Sequence, residues 1–326
     1  MQEMGLTNCN KNIDVNKIFL ILISILSICF SQLFYLGELN AQQEVITYLN
    51  SITTDAKEAN LSMPFFVKAE REMDEIYVVD TQGRIIIYTA DFFPLYTLSK
   101  KRGIEAPQGL DVDAKGNLYV AQAATKNNPR PRISVFSACL RWNRDIYISG
   151  FEGAQSFVPH RVAIDKEGNI YAAAGRYPGV IVLSNDGLFI DKVSPEENGR
   201  IARITNVSID SNGQIYLVSE EESRIYVYDK KRNFLFKFGE KGGSSGKLSR
   251  PRAVGVDSQN GTIYVADYMR HTIAMYDNKG SYIHEFGGLG WNEGWFQHPI
   301  EIDVDAKGRI LVADFFNQRI QVFTSR

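Results

Sequence analysis

Cysteine and histidine are both scarce: three cysteines and four histidines stand among 326 residues. Cys9 and Cys29 lie near the N-terminus, so Cys139 is alone in the rest of the chain and no disulfide framework can brace it. With no base placed beside it, Cys139 is expected to be a packed small hydrophobe rather than a nucleophile. Net charge is scarce as well. Thirty-six Lys and Arg against 38 Asp and Glu leave −2, which gives no reason to expect a nucleic-acid partner from the overall balance. No G-x-S-x-G elbow, P-loop or zinc-type cysteine cluster occurs, so nucleophilic, phosphoryl-transfer and zinc-finger chemistries lack support.

What is present is an ordinary globular composition, 44% hydrophobic and 12% aromatic, arranged as a repeat. In the stretch from Pro251 to Gly287, four β-type runs alternate with turn residues. The opening proline recurs at Pro64, Pro107, Pro159, Pro251 and Pro299, with Ile204 in its place in the fourth copy. Six copies therefore start near 64, 107, 159, 204, 251 and 299. Second strands read IYVVD, LYVAQ, IYAAA, IYLVS, IYVAD and ILVAD; third strands read RIIIY, RISVF, VIVL, RIYVY, TIAMY and RIQVF. Four short strands per unit, at a period of about 45 residues, are the signature of a propeller.

Proline, short strand, D-x-x-G, IYVAD, a loop, RIxVY and then F-G resembles the NHL repeat, whose tandem copies form six-bladed β-propellers. The resemblance covers the chain from about Val45 onward and is strongest in the last two copies. It departs in the first copy, where Glu70-Arg-Glu-Met-Asp74 replaces D-x-x-G, and in the second, where residues 125–132 lengthen a loop. It implies an all-β six-bladed propeller over residues 42–326. The last copy ends after its third strand, so Glu44 to Ile52 is expected to supply the fourth and close the ring against Arg319 to Phe323.

Residues 1–41 are expected to be a cytosolic tail followed by a signal peptide or transmembrane anchor helix with an apolar core at 18–37, a length compatible with either fate. Lys11 and Lys17 precede this core and no Lys or Arg follows until Lys57, which places the ring on the extracytoplasmic side: membrane-anchored if the leader stays, secreted or periplasmic if it is cleaved.

In such a ring the first strand of each blade lines a central channel, and the D-x-x-G turns gather on one face. The second-to-third loops and inter-blade loops gather on the other. That loop face collects many basic residues, Arg252 and Arg270 among them, interleaved with aromatics including Trp291 and Trp295. Guanidinium forks and flat rings suit a protein, glycan or other anionic ligand. The channel mouth is set by two successive tiers: Phe65, Gln108, His160, Thr205, Arg252 and Ile300, then Phe66, Gly109, Arg161, Asn206, Ala253 and Glu301. The candidate ligand-binding residues are thus Gln108, His160, Arg161, Arg252, Arg270, Trp291 and Trp295.

Some relatives of the fold, such as peptidyl-hydroxyglycine lyases and calcium-dependent lactonases, place metal ligands around this channel. A three-histidine set is missing here. Asn206 and Glu301 are the candidates for a hard cation such as calcium, with Gln108, Asp111 and Asp303 as further oxygen donors. Arg161 and Arg252 in the same tiers oppose it, and the competing expectation is an ion pair between Glu301 and one of these arginines. The leading reading is a binding module, the alternatives a calcium-dependent hydrolase or lyase and a structural assembly component. No other cofactor is expected. RNA, which some NHL propellers bind, is excluded by export, and the oligomeric state stays open.

Overall fold

Local chemistry builds each unit. The second and third strands are runs of Val, Ile, Tyr and Ala, nearly all buried, because they are sandwiched between the neighbouring blades. Asp113 shows how a hairpin is turned: its Oδ1 accepts from the backbone N–H of Lys115 at 2.9 Å and of Asn117 at 2.8 Å, and Gly116 takes φ 77°. In the first unit, where this motif is absent, Glu70 substitutes for the aspartate. Its carboxylate accepts from Glu72 N at 2.9 Å and Met73 N at 2.6 Å, while Asp74 adopts φ 55°.

The computed structural model describes residues 46–325; the apolar segment at 18–37, Glu44 and Val45 lie outside the described residues. Six antiparallel four-stranded sheets form the blades of a propeller. Blade 1 runs from Phe66 to Leu98, blade 2 from Pro107 to Ile146, blade 3 from Arg161 to Val193, blade 4 from Asn206 to Phe238 and blade 5 from Pro251 to Gly287. A two-stranded hairpin, Glu196–Glu197 with Arg200–Ile201, joins blades 3 and 4. Among the described residues no helix is long and apolar enough to cross a membrane.

Blade 6 joins the two ends of this chain segment. Pro299–Val304, Arg309–Asp314 and Arg319–Ser325 provide three strands, and Ile46–Ile52 adds the outer one, antiparallel, with Ile46 opposite Ser325 and Ile52 opposite Ile320. The expected closure is therefore observed. Ile46 sits at the D-x-x-G end of the blade, since Thr324 pairs with Arg309, the residue after that turn.

The core is divided into six apolar clusters, one between each pair of adjacent blades. The one between blades 6 and 1 contains Ile52, Leu61, Val78, Tyr88, Leu311 and Ile320. Second-strand ends add polar clips. Asp267 accepts from Ser249 N at 2.6 Å and Arg250 N at 3.0 Å, Asp314 from Gln297 N at 2.7 Å, and Gln122 from Glu105 N at 2.8 Å. In blades 2, 5 and 6 these bonds hold the entering chain against its own blade, so the first strand begins at a fixed height in the channel.

Ile52 is 4% exposed and Leu49, on the same closing strand, 49% exposed. Ile52→Ala is expected to cost ~2–4 kcal/mol in urea denaturation, and Leu49→Ala less than ~0.5 kcal/mol. Equal losses would contradict the closure described.

Candidate functional site

The first strands bring one residue each to the mouth of the channel. Phe65, Gln108, His160, Thr205, Arg252 and Ile300 all line a cavity of about 780 Å³ on the loop face. A second ring comes from the position just after each second strand: Thr81, Gly175, Glu220 and Phe315 line the same cavity. Tyr268, at the equivalent position of blade 5, lies beneath the guanidinium of Arg252 at 4.9 Å. Sequence reasoning missed this second ring, although the repeat phase contained the signal.

Beneath the mouth the channel is closed by a cross-ring ion pair. Arg161 Nε donates to Glu301 Oε2 at 2.9 Å, and Asn206 Nδ2 donates to Glu301 Oε1 at 3.0 Å; all three residues are buried. Gly109 and Ala253 share the tier, and a Cβ on Gly109 would come 2.9 Å from His160 O and 3.1 Å from Arg161 Cδ. The missing side chain makes room for the arginine. Burial pushes Glu301 up to about 7, against the opposing pull of Arg161 and Asn206.

Deeper still, Lys68 Nζ lies 3.3 Å from Asp111 and 3.5 Å from Asp303, beside a residual void of about 30 Å³. Desolvation lowers the Lys68 pKa, but the two carboxylates outweigh it and raise it above its ordinary value. Arg71, from the irregular turn of blade 1, bonds to Val256 O and Val304 O, each at 3.2 Å, across blades 5 and 6. The mouth is the open end of a plugged channel.

The three carboxylates considered for a cation are thus engaged by cationic side chains. Glu301 and Asn206 bond to each other, with Arg161 on the same carboxylate, and Asp111 and Asp303 flank Lys68. Among the described residues no group of three or more His, Cys, Asp or Glu converges as a metal site. The ion-pair expectation for Glu301 is the one the geometry matches.

Other candidate residues lie outside the cup. Arg270 faces away from the mouth and forms a two-pronged pair with Glu285, at 2.5 Å through Nη1 and 2.7 Å through Nη2. Trp291 and Trp295 are exposed on the loop between blades 5 and 6 and do not line the cavity. Much of the basic rim is neutralised: Arg250 and Arg252 share Glu220, Lys247 meets Glu240, and the buried Arg132 approaches Asp145. His298 stacks on Tyr268 and His271 with ring centroids 4.3 Å away in each case, outside the cavity. Cys139, expected to be packed, is exposed in the outer turn of blade 2.

His160 lines the mouth and is exposed there. Desolvation, then the charges of Arg161 and Arg252, push its pKa down to about 3, so the ring is neutral. Arg252 is lowered first by burial and further by Arg250 and Arg161, with Glu220 opposing.

A closed ring of six four-stranded sheets with a single plugged channel defines a six-bladed β-propeller. A family profile described as a 6-bladed beta-propeller matches residues 192–288, and one for the NHL repeat matches residues 296–323, most of blade 6. The chain is a six-bladed propeller whose last blade matches the NHL repeat. No curated protein matches it in sequence. Among solved structures, it is similar to a structural genomics protein of unknown function from Bacteroides thetaiotaomicron VPI-5482, at 13% identity and TM-score 0.66, over 87% of this chain and 76% of that one. An auxiliary nutrient binding protein from Bacteroides ovatus ATCC 8483 gives 12%, 0.65, 87% and 77%. A virginiamycin B lyase from Staphylococcus aureus gives 11%, 0.55, 86% and 99%. Identities this low establish the shared fold alone.

Because the folded pKa of Glu301 lies above its unfolded value, its contribution to stability is fully present below the unfolded pKa and is lost as pH rises through about 7. Arg161→Met, which removes the counter-charge, is expected to cost ~3–5 kcal/mol at pH 8 and less at pH 5, where the carboxyl is protonated. Urea denaturation at the two pH values checks this; an equal loss at both would show that Glu301 is not the group left unpaired.

Proposed function

We propose that the chain is an exported or membrane-anchored binding module whose channel mouth receives a segment of a protein, a glycan or another anionic ligand. One observation carries this reading. A cavity of about 780 Å³ opens on the loop face and is floored by the Arg161, Glu301 and Asn206 network, so it is a cup and not a pore. Its wall mixes apolar residues, Phe65, Ile300 and Phe315, with donors, Arg252, His160 and Gln108. One of the similar structures is titled an auxiliary nutrient binding protein, which supports ligand capture as a role for this architecture.

Export is inferred from the apolar segment at 18–37 and the lysines before it. Ile46 lies at the D-x-x-G end of blade 6, the end of the blade opposite the mouth. Catalysis through a channel cation finds no support in a floor whose carboxylate is already held by a guanidinium.

Glycan and peptide arrays probed with the full-length chain are expected to give ligands whose binding is abolished by Ile300→Trp, which fills the cup, and retained by Arg270→Ala. Binding that survives Ile300→Trp would move the site elsewhere. For topology, alkaline phosphatase fused after Gln43 is expected to be active in a bacterial host, and an inactive fusion would put the ring in the cytosol.

A further inference from the structure

We infer that the mouth selects a ligand bearing a carboxylate, seated against blades 3 to 5, with an apolar or sugar face against blades 6 and 1; this rests on reading the mouth as the binding site. His160, Thr205 and Arg252 occupy the same register position on three consecutive blades and line one side of the cup. Around them stand three guanidinium groups, Arg161, Arg250 and Arg252, against two carboxylates. Glu301 takes Arg161 at 2.9 Å, and Glu220 takes both Arg250, at 2.7 Å, and Arg252, at 2.5 Å. One positive charge is left over on this side.

Arg252 is prepared to meet an anion. Its guanidinium lies over Tyr268 at 4.9 Å and is steadied by Glu220, which engages only Nη1 and leaves the fork with donors to spare. His160 adds a neutral donor. Its Nδ1 lies 3.0 Å from Arg161 Nη1, and a guanidinium can only donate, so Nδ1 accepts and the ring proton sits on Nε2.

The carboxylates lining the rest of the cup do not compete for these donors. Asp80 is held by Arg84 at 2.6 Å, and Glu105, at the entry to blade 2, accepts from Thr125 Oγ1 and Asn127 Nδ2. Across the cup stand Phe65, Ile300 and Phe315, which offer no charge and no side-chain hydrogen bond. A carboxylate directed at Arg252 and His160, with the remainder of the ligand on this apolar wall, satisfies both sides. The same group is carried by a free aryl or alkyl acid and by a uronic acid of a glycan.

Isothermal titration of the full-length chain in detergent, with paired probes, tests the inference and separates the two sources. Phenylacetate is compared with phenylacetamide, and D-galacturonate with its methyl ester. At least one acid is expected to bind more tightly than its neutral partner by about ten- to hundredfold, and Arg252→Gln is expected to remove that difference. Arg252→Lys, which keeps the charge, is expected to restore part of it. The pair that shows the difference identifies the source. Neutral partners that bind as well as the acids, with binding lost in Ile300→Trp, would overturn the carboxylate and leave the mouth standing. Acid binding unaltered by Ile300→Trp would overturn the mouth itself, and binding of neither acid would overturn the carboxylate.

Discussion

The ring exists because one strand from before blade 1 completes blade 6. Without Ile46–Ile52 the strand Arg319–Ser325 would present a full row of unpaired backbone groups, and the apolar cluster between blades 6 and 1 would lose Ile52. Each of the other blades is local in sequence. This one pairs residues at opposite ends of the described chain, so it carries the largest loop-closure cost and fixes the circumference on which the channel depends.

Once the ring is closed, six first strands face one axis, and the residues there must settle their charges with one another. Arg161 reaches across to Glu301 because Gly109 beside it has no side chain, and Lys68 stands between Asp111 and Asp303 a tier below. Packing and electrostatics thereby convert a passage into a cup. The buried ion pair need not add much stability beyond what apolar residues of the same volume would supply. Its consequence is geometric: it sets a floor, holds His160 in one tautomer and leaves Arg252 facing the cup with donors unspent.

The six-blade count, the closing strand and the first ring of mouth residues were all legible in the sequence. They follow from alternation, turn chemistry and a constant repeat phase, and these survive substitution because the backbone geometry recurs in every blade. Glu220 and Phe315 were legible by the same logic, one place after each second strand. Arg270, Trp291 and Trp295, expected on the loop face, do not line the cup. Arg270, in the short turn between the second and third strands of blade 5, takes Glu285 on its own blade as its partner. Cys139 fell in an outer turn, where nothing packs over it.

By itself, then, the sequence determined which segments become strands, how they group into blades and which residues stand at each height of the channel, because these depend on neighbours within about one repeat. The tertiary structure decided which arginine takes Glu301, which rim charges cancel and which donors remain for a ligand. Those choices join residues as far apart as Arg161 and Glu301, and they depend on side-chain reach across a closed ring. No local pattern encodes that reach.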